Sequence, residues 1–311
     1  ALAYGGNAPP LTAATEEWNT GLPIANTWQS GNNMNTARQI MANFGIQTAA
    51  ISAGGFQEGA TPGREALTES YNGTNWTEVN NLNNGRSSIG AAGTSTAGLA
   101  FGGFSPALSP PRSVKTESWN GTNWTNVNDL NTGRSGAVGA GIQTGALASG
   151  GLNPSTSATA ETETWNGTNW TEVADLNAAR TGACGAGVTN TAALNMGGGN
   201  PDKTRTELWN GTSWTEVNNM SVNREAGTGS GASTAALAFG GESSPRANTE
   251  SWNGTNWTET GDLNIGRKNM GDNGSGTTST SALAQGGSPP QTAATEEFTT
   301  NATVTKTIST S

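Results

Sequence analysis

Histidine is absent from the 311 residues of this chain. That absence excludes Ser-His-Asp and Cys-His catalytic triads, histidine-ligated zinc and acid–base catalysis by imidazole. Cysteine occurs once, so an intrachain disulfide is also excluded, and we expect Cys184 to be a small buried residue on an inner strand. No apolar run reaches the length of a membrane-spanning helix, and no charged segment followed by an apolar one opens the sequence. We therefore expect no membrane insertion.

Basic residues are scarce as well. The chain has 14 Lys and Arg against 23 Asp and Glu, a net charge of −9, which disfavours nucleic acid and anionic membrane surfaces as partners. Hydrophobic residues make up only 32%, a value that alone would suggest disorder. However, the chain also contains 45 Gly and 11 Trp, and each large aromatic buries roughly 150–250 Å². The composition therefore predicts a packed core made of small residues and tryptophan.

One nine-residue segment, ESWNGTNWT, occurs at 117–125 and again at 250–258, with close variants at 69–77, 163–171 and 207–215. Asn-Gly between β-prone segments favours a two-residue type I′ hairpin turn. A turn at Asn166-Gly167 would make Trp165 and Trp170 diagonal neighbours on one face of the hairpin. The corresponding pairs in the other hairpins are Trp119 with Trp124, Trp209 with Trp214, Trp252 with Trp257, and Tyr71 with Trp76.

The hairpins belong to a longer repeat. Glycine doublets begin at Gly5, Gly54, Gly102, Gly150, Gly197, Gly240 and Gly286, with spacings of 49, 48, 48, 47, 43 and 46 residues. A second series consists of Arg38, Arg86, Arg134, Arg180, Arg224 and Arg267. Each unit contains a Gly/Ala-rich strand, an apolar strand ending in Gly-Gly, an acidic-aromatic strand and a tryptophan strand. Four strands in about 40–50 residues are typical of a β-propeller blade, with the small-residue strand innermost.

The ordered set of Arg, Gly-Gly, aromatic and Trp residues resembles the kelch repeat, and the resemblance covers about residues 1–300. The kelch hairpin usually has a longer turn between its aromatics, where this sequence has a short Asn-Gly. The WNGTxW form, with runs such as DLNTGR and ALAFGG, is similar to kelch-like structural and fibre proteins of bacteriophages, especially those of marine bacteria. The resemblance implies an extracellular or virion location.

Seven doublets predict an all-β, seven-bladed propeller of four-stranded antiparallel blades in one domain, residues 1–311. The blade units are 1–37, 38–85, 86–133, 134–179, 180–223, 224–266 and 267–311. Because the chain opens at a second strand, ALAYGG, we expect the first blade to lack its first strand. The final segment, EEFTTNATVTKTISTS, would supply the last two strands of the seventh blade. PPLTAATEEW at 9–18 matches PPQTAATEEF at 289–298. We also expect the chain to be a fragment of a longer one.

Most repeated residues have a structural interpretation, because packing requires the same side chain in every blade whereas one binding site does not. We assign this role to Trp76, Trp119, Trp124, Trp165, Trp170, Trp209, Trp214, Trp252 and Trp257. Trp28, in the unrepeated segment NTGLPIANTWQS, is the least predictable of the tryptophans. Arg86, Arg134, Arg180, Arg224 and Arg267 are predicted to pair, between blades or at loops, with a glutamate repeated in each third strand (Glu69, Glu117, Glu163, Glu207 and Glu250).

Catalysis finds little support in the sequence. Paired carboxylates could act on a glycoside, but adjacent strand residues such as Glu16 and Glu17, or Glu296 and Glu297, face opposite ways. We predict no enzyme activity, no catalytic residue, no metal and no cofactor.

The connection after each doublet varies, unlike the hairpin, and runs from 7 to 12 residues. Variable loops on a rigid scaffold are a common arrangement for binding, although drift in surface loops explains them as well. The candidate ligand-binding residues in these loops are Glu58, Arg64, Arg112, Lys115, Lys203, Arg205 and Arg246.

Three functions follow as hypotheses. The first is a non-enzymatic tail-fibre or fibre-tip module that attaches to a bacterial surface glycan or outer-membrane receptor. The second is a purely structural decoration or spacer that contacts other virion proteins. The third is a glycan-cleaving enzyme with two facing carboxylates. A fibre would suit a homotrimer, but nothing in the sequence specifies one.

Overall fold

The structure, a computed structural model, describes residues 26–61, 63–199, 202–242, 247–271 and 275–300. These residues form twenty-four short β-strands. They are arranged as six antiparallel sheets of four strands each. The structure thus confirms the all-β propeller with four-stranded blades that the sequence predicts. Among these residues, no helix is long and apolar enough to cross a membrane.

Each blade contributes one strand to each of four concentric positions. The innermost strands are β2 (Ala42–Ile46), β6 (Gly90–Thr94), β10 (Val138–Ile142), β14 (Cys184–Thr189), β18 (Thr228–Ala232) and β22 (Ser275–Thr278). The second strands are β3 (Ala49–Ala53), β7 (Ala97–Phe101), β11 (Gly145–Ser149), β15 (Ala192–Met196), β19 (Ala235–Phe239) and β23 (Ser281–Gln285). The third strands are β4 (Thr68–Tyr71), β8 (Thr116–Trp119), β12 (Thr162–Trp165), β16 (Thr206–Trp209), β20 (Thr249–Trp252) and β24 (Thr295–Thr299). The outermost strands are β5 (Trp76–Val79), β9 (Trp124–Val127), β13 (Trp170–Val173), β17 (Trp214–Val217), β21 (Trp257–Glu259) and β1 (Thr27–Gly31).

The ring has six blades in the described residues, and the expectation of seven is wrong. Blades one to five are β2–β5, β6–β9, β10–β13, β14–β17 and β18–β21, and blade six combines β22, β23 and β24 with β1 from the other end of the chain. Strand β1 pairs in register with β24, from Thr27 opposite Thr299 to Gly31 opposite Thr295. The inner strands β2 and β22 are in contact, so the circle is closed.

The seven-blade count fails for a physical reason. It treated Thr27–Gly31 as part of a separate first blade that lacks its first strand, and it expected residues after Phe298 to provide an outermost strand for the last blade. The structure gives that outermost position to β1 instead. The doublet at Gly5 and residues 301–311 lie outside the described residues.

Small residues fill the inner strands because neighbouring blades meet closely there. A Cβ atom on Gly139 of β10 would lie 2.0 Å from the carbonyl oxygen of Ala91 in β6, so only glycine fits. Cys184, at the start of β14, is buried on an inner strand as expected.

Tryptophan links neighbouring blades farther out. In blade two, Trp124 Nε1 donates to Thr68 Oγ1 of blade one at 3.1 Å, and Trp28 on β1 makes the matching bond to Thr249 at 3.0 Å. The same contact is made by Trp76, Trp170, Trp214 and Trp257. Trp28 is therefore the outermost-strand tryptophan of blade six, which is the role the sequence leaves open.

The tryptophan hairpin differs from the expected two-residue turn. Trp165 pairs directly with Trp170, so the loop has four residues, Asn166–Gly167–Thr168–Asn169. Asn166 Oδ1 accepts hydrogen bonds from the backbone N–H groups of Thr168 and Asn169, both at 2.9 Å. This Asx turn uses the same Asn-Gly pair as a type I′ turn would, which explains the wrong register. The two rings still share one face, with centroids 5.5 Å apart.

Buried arginine–glutamate pairs tie each blade to the linker that precedes it. Arg134 Nη2 lies 2.6 Å from Glu163 Oε1, and both side chains are 0% exposed. The other Glu163 oxygen accepts from the backbone and side-chain amides of Asn131, at 2.8 and 2.9 Å. Burial lowers the pKa of four of these arginines, opposed in each case by the paired glutamate: Arg38, Arg86, Arg180 and Arg267. The six pairs are Arg38–Glu69, Arg86–Glu117, Arg134–Glu163, Arg180–Glu207, Arg224–Glu250 and Arg267–Glu296.

Candidate functional site

Two kinds of connection meet on one face of the ring, here called the upper face. They are the linkers between blades and the loops that follow the glycine doublets. In blade one, Gln39 of the linker and Phe56 of the loop exchange two backbone hydrogen bonds, at 3.0 and 2.8 Å. The opposite, lower face carries the tight turns of the inner hairpins and the tryptophan hairpin loops, where Gly73 packs against Thr48.

A ring of left-handed residues, which we call the axial collar, surrounds the axis at the upper face. Each member lies two positions after a buried arginine: Ile40 (φ 51°), Ser88 (52°), Gly136 (65°), Gly182 (63°), Ala226 (55°) and Asn269 (59°). In five of the six steps the collar N–H donates to the collar carbonyl of the preceding blade, at 2.6–2.8 Å. A non-glycine residue in this conformation costs about 1–2 kcal/mol, which these bonds offset. The collar is thus explained by closure of the ring.

A cavity of about 130 Å³ lies at the collar, and its lining also includes Ser135, Leu152 and Thr181. Its walls are hydroxyl groups, backbone and small apolar groups, with Asn269 as the one amide side chain among the described lining residues. Among the described lining residues, the cavity therefore offers hydrogen-bonding groups but no charged side chain.

The first residue after each doublet pairs with the residue just before the collar, and these six positions, here called the rim of the upper face, break the sixfold pattern. That first residue is Phe56, Phe104, Leu152, Gly199, Glu242 or Ser288 in blades one to six. Blades one to three thus present aromatic or aliphatic side chains. In blades four to six the same rim holds charged and polar groups, including an ion pair between Lys268 and Glu242 at 2.5 Å.

Arg64 and Arg112 lie in the loops of blades one and two and stack on these aromatic rings. The Arg64 guanidinium carbon lies 4.5 Å from the centroid of Phe56 and 5.3 Å from that of Phe104. The Arg112 carbon lies 5.7 Å from the same Phe104 centroid. The four side chains, which we call the Phe–Arg stack, are half-buried. Burial lowers the pKa of Arg64, and no neighbouring charge contributes to that shift.

The other predicted site residues have different surroundings. Lys115 pairs with Asp129 at 2.9 Å, Lys203 pairs with Glu225, and Arg205 lies 3.6 Å from Glu216. The hydrogen bond from Lys203 to Glu225 raises the pKa of the lysine. Arg246 lies outside the described residues, so of the predicted cations the structure brings together only Arg64 and Arg112 among those it describes.

Glu58 contacts Gln291, a residue that could not be identified from the sequence. Its backbone N–H donates to Gln291 Oε1 at 2.6 Å, and Gln291 Nε2 donates to the carbonyl of Phe56 at 2.6 Å. Gln291 belongs to the loop of blade six, so two neighbouring loops are held together beside the Phe–Arg stack. No local signal in the sequence indicates this contact, because Gln291 stands where the matching segment 9–18 has Leu11.

The carboxylates Glu296 and Glu297 point to different partners. Glu296 pairs with Arg267 inside blade six at 2.6 Å, whereas Glu297 accepts a hydrogen bond from the hydroxyl of Tyr71 in blade one. Burial, together with this bond, raises the pKa of Tyr71. Within the described ranges, no group of three or more Cys, Asp or Glu side chains is placed to hold a metal ion.

No protein-family profile matches this sequence, and no curated protein sequence matches it either. Among solved structures 441 chains are similar to it. One of them, described as "Structure of YjhT", superimposes with a TM-score of 0.67 at 12% sequence identity, covering 89% of this chain and 99% of that one. The chain therefore has a kelch-like β-propeller fold. Because such folds host many unrelated functions, function depends on the particular site.

Proposed function

We propose that this chain is a non-enzymatic, extracellular binding module of a bacteriophage virion appendage, a tail fibre or its tip. It recognises a bacterial surface glycan or an outer-membrane receptor through the loops of the upper face. The virion setting rests on the sequence resemblance to kelch-like phage proteins.

The observation that carries the binding role is the contrast between repeated and unrepeated parts of the upper face. The buried Arg–Glu pairs and the Trp–Thr bonds recur in all six blades, so packing accounts for them. The loops after the doublets follow no such pattern. A rigid ring that presents different loops on one face suits recognition of a partner.

A second candidate, a purely structural spacer, draws support from the lower face. Ile46, Ile142 and Val188 lie at the lower ends of β2, β10 and β14, and their exposures are 42%, 47% and 38%. Single exposed aliphatic residues are common on protein surfaces, but these three share one face and are the groups that a spacer would use for contact with another protein. In the spacer function these residues would contact other virion proteins, and the free module would bind no cell.

A binding experiment on intact bacteria tests the proposal. The labelled protein is incubated with a panel of strains, before and after periodate oxidation of surface sugars. We expect strain-selective binding; loss on oxidation indicates a glycan, and retention indicates a protein receptor. The double variant Ile46→Ser/Ile142→Ser serves as control and should bind normally, because its changes lie on the lower face. Binding to no strain contradicts the adhesin and favours the spacer, and release of sugars from the cells contradicts the non-enzymatic role.

A further inference from the structure

Charge pairing separates Arg64 and Arg112 from the other basic residues. Every other Lys and Arg side chain that the structure describes forms an ion pair with a carboxylate. The Phe–Arg stack therefore holds the two guanidinium groups that remain without a carboxylate partner in the described part of the chain. In a protein of net charge −9, two cations left unpaired side by side need an explanation.

Packing does not supply that explanation. A contact that the fold requires recurs around the ring, as the six Arg–Glu pairs do. Among the described residues, such stacking occurs only in the neighbouring blades one and two, whereas blade three has Leu152 bridged to Ala158 at the same place. The ring is thus stable at this position without an arginine.

The exposed parts of the two guanidinium groups are their terminal nitrogens. The Nε atoms of Arg64 and Arg112 are buried without a hydrogen-bond partner, but so are those of the repeated Arg38, Arg86 and Arg267, so they do not set the stack apart. An incoming oxyanion would accept hydrogen bonds from the terminal nitrogens, and bonds of this kind to a charged group are among the stronger ones in proteins. The guanidinium groups lie over the aromatic rings, and Gln291 holds the adjoining loop, so contacts within the protein restrict the donors before any ligand arrives.

Geometry and charge select the class of ligand. A guanidinium group binds the two oxygens of a carboxylate, sulfate or phosphate side by side. Both guanidinium carbons lie near one Phe104 ring, so they are at most about 11 Å apart. Two oxyanions on one flexible chain can therefore be bound together.

We propose that Arg64 and Arg112 form a binding site for the acidic groups of an anionic polysaccharide on the upper face. This inference rests on the proposed function, of which it specifies the ligand. The two arginines bind the oxyanions, and Phe56 and Phe104 position them.

The test uses the intact protein and three polysaccharides of defined charge, with binding followed by calorimetry at low ionic strength. Polygalacturonate supplies carboxylates, dextran sulfate supplies sulfates, and dextran is neutral. We expect binding to an acidic polymer and none to dextran; the stronger acidic polymer identifies the oxyanion. Arg64→Gln and Arg112→Gln should each weaken binding at least about tenfold, as for loss of a hydrogen bond to a charged group.

A matched control separates a site from general electrostatics. Thr122→Glu/Thr168→Glu changes the net charge as much as Arg64→Gln/Arg112→Gln does, but its two exposed positions lie in the tryptophan hairpin loops of the lower face. We expect the threonine variant to bind within about twofold of the unmodified protein. Equal losses in both double variants, or no loss in the arginine variant, would overturn the proposal. If the glutamine variant does not fold, Arg64→Lys/Arg112→Lys replaces it, and unchanged binding in that variant would count against a guanidinium site.

The cell-binding and polymer-binding experiments test the attachment function and the Phe–Arg site separately, so either proposal can be rejected without the other. If the unmodified protein binds bacteria but no acidic polymer, the adhesin stands and the Phe–Arg site is rejected. If it binds acidic polymer through the arginines but no bacterium of the panel, the site stands and the attachment function is rejected.

Discussion

Arg86 and Arg112 belong to the same blade and are used in opposite ways. Arg86 is 0% exposed and pairs with Glu117 at 3.1 Å, in a contact that recurs in every blade. Arg112 is half-buried on Phe104 and has no carboxylate partner among the described residues. Repetition thus marks what the ring needs in order to close. Departure from repetition marks what this ring offers to a partner.

We expect the largest difference in unfolding free energy when one charge is removed from the buried Arg–Glu pair of blade two and one from the Phe–Arg stack. Glu117→Gln leaves Arg86 buried without its counter-charge, and we expect a loss of about 3–5 kcal/mol in the free energy of unfolding. Arg112→Gln removes a partly exposed cation–π contact and should cost about 1 kcal/mol or less. Urea unfolding at equilibrium measures both. Similar costs for the two variants would remove the distinction between the regions.

We expect an effect of intermediate size on the unfolding free energy when the outermost-strand tryptophans of blade six and blade two are changed. Trp28 on β1 and Trp124 on β9 make the same indole bond to a threonine of the preceding blade. Trp28→Phe and Trp124→Phe each lose that bond and some buried surface, and we expect about 1–3 kcal/mol from each. The two values should agree within about 0.5 kcal/mol, as judged from urea midpoints at equal slopes. A much smaller cost for Trp28→Phe would show that β1 is not needed to close the ring.

We expect the smallest effect on the unfolding free energy from removal of the Tyr71 hydroxyl, and this effect depends on pH. The folded-state pKa of this hydroxyl is raised above the ordinary value of 10.0, chiefly by burial and also by its bond to Glu297. A raised pKa gives stability that is fully present below pH 10 and is lost as the pH rises beyond it, because the unfolded tyrosine ionises first. We expect the unfolding free energy of the unmodified protein to fall more steeply above pH 10 than that of Tyr71→Phe. Parallel curves would contradict a role for this hydroxyl at the joint between blades six and one.

Much of the fold could be predicted from the sequence because packing repeats. The spacing of Gly-Gly, Arg and Trp fixes four strands per blade. The number of blades could not be predicted in this way, since the sequence does not say which strand completes the last sheet. Only the register of Trp28 against Phe298 decides that. The hairpin register was missed because Asn-Gly serves two turn geometries.

The Phe–Arg stack corresponds to a spacing pattern in the sequence, which is not seen when the basic residues of the loops are only counted. In both units a phenylalanine follows the doublet and an arginine stands eight residues later, at Phe56 and Arg64 and again at Phe104 and Arg112. Their stacking across the blade boundary depends on ring geometry, which no single unit contains. The Gln291 contact joins the loops of blades one and six, which are far apart in the sequence, and could not be predicted from it.

Strand β1 also has a consequence for synthesis on the ribosome. Thr27–Gly31 is made among the first strands, but its partner Thr295–Thr299 is the last of them to emerge. At about 5–20 residues per second the early strand waits on the order of tens of seconds for that partner. During this time its backbone edge is open to other chains on the same messenger. The contact that seals the finished ring is therefore also one for which the nascent chain waits with an open strand edge, to which a neighbouring chain can pair.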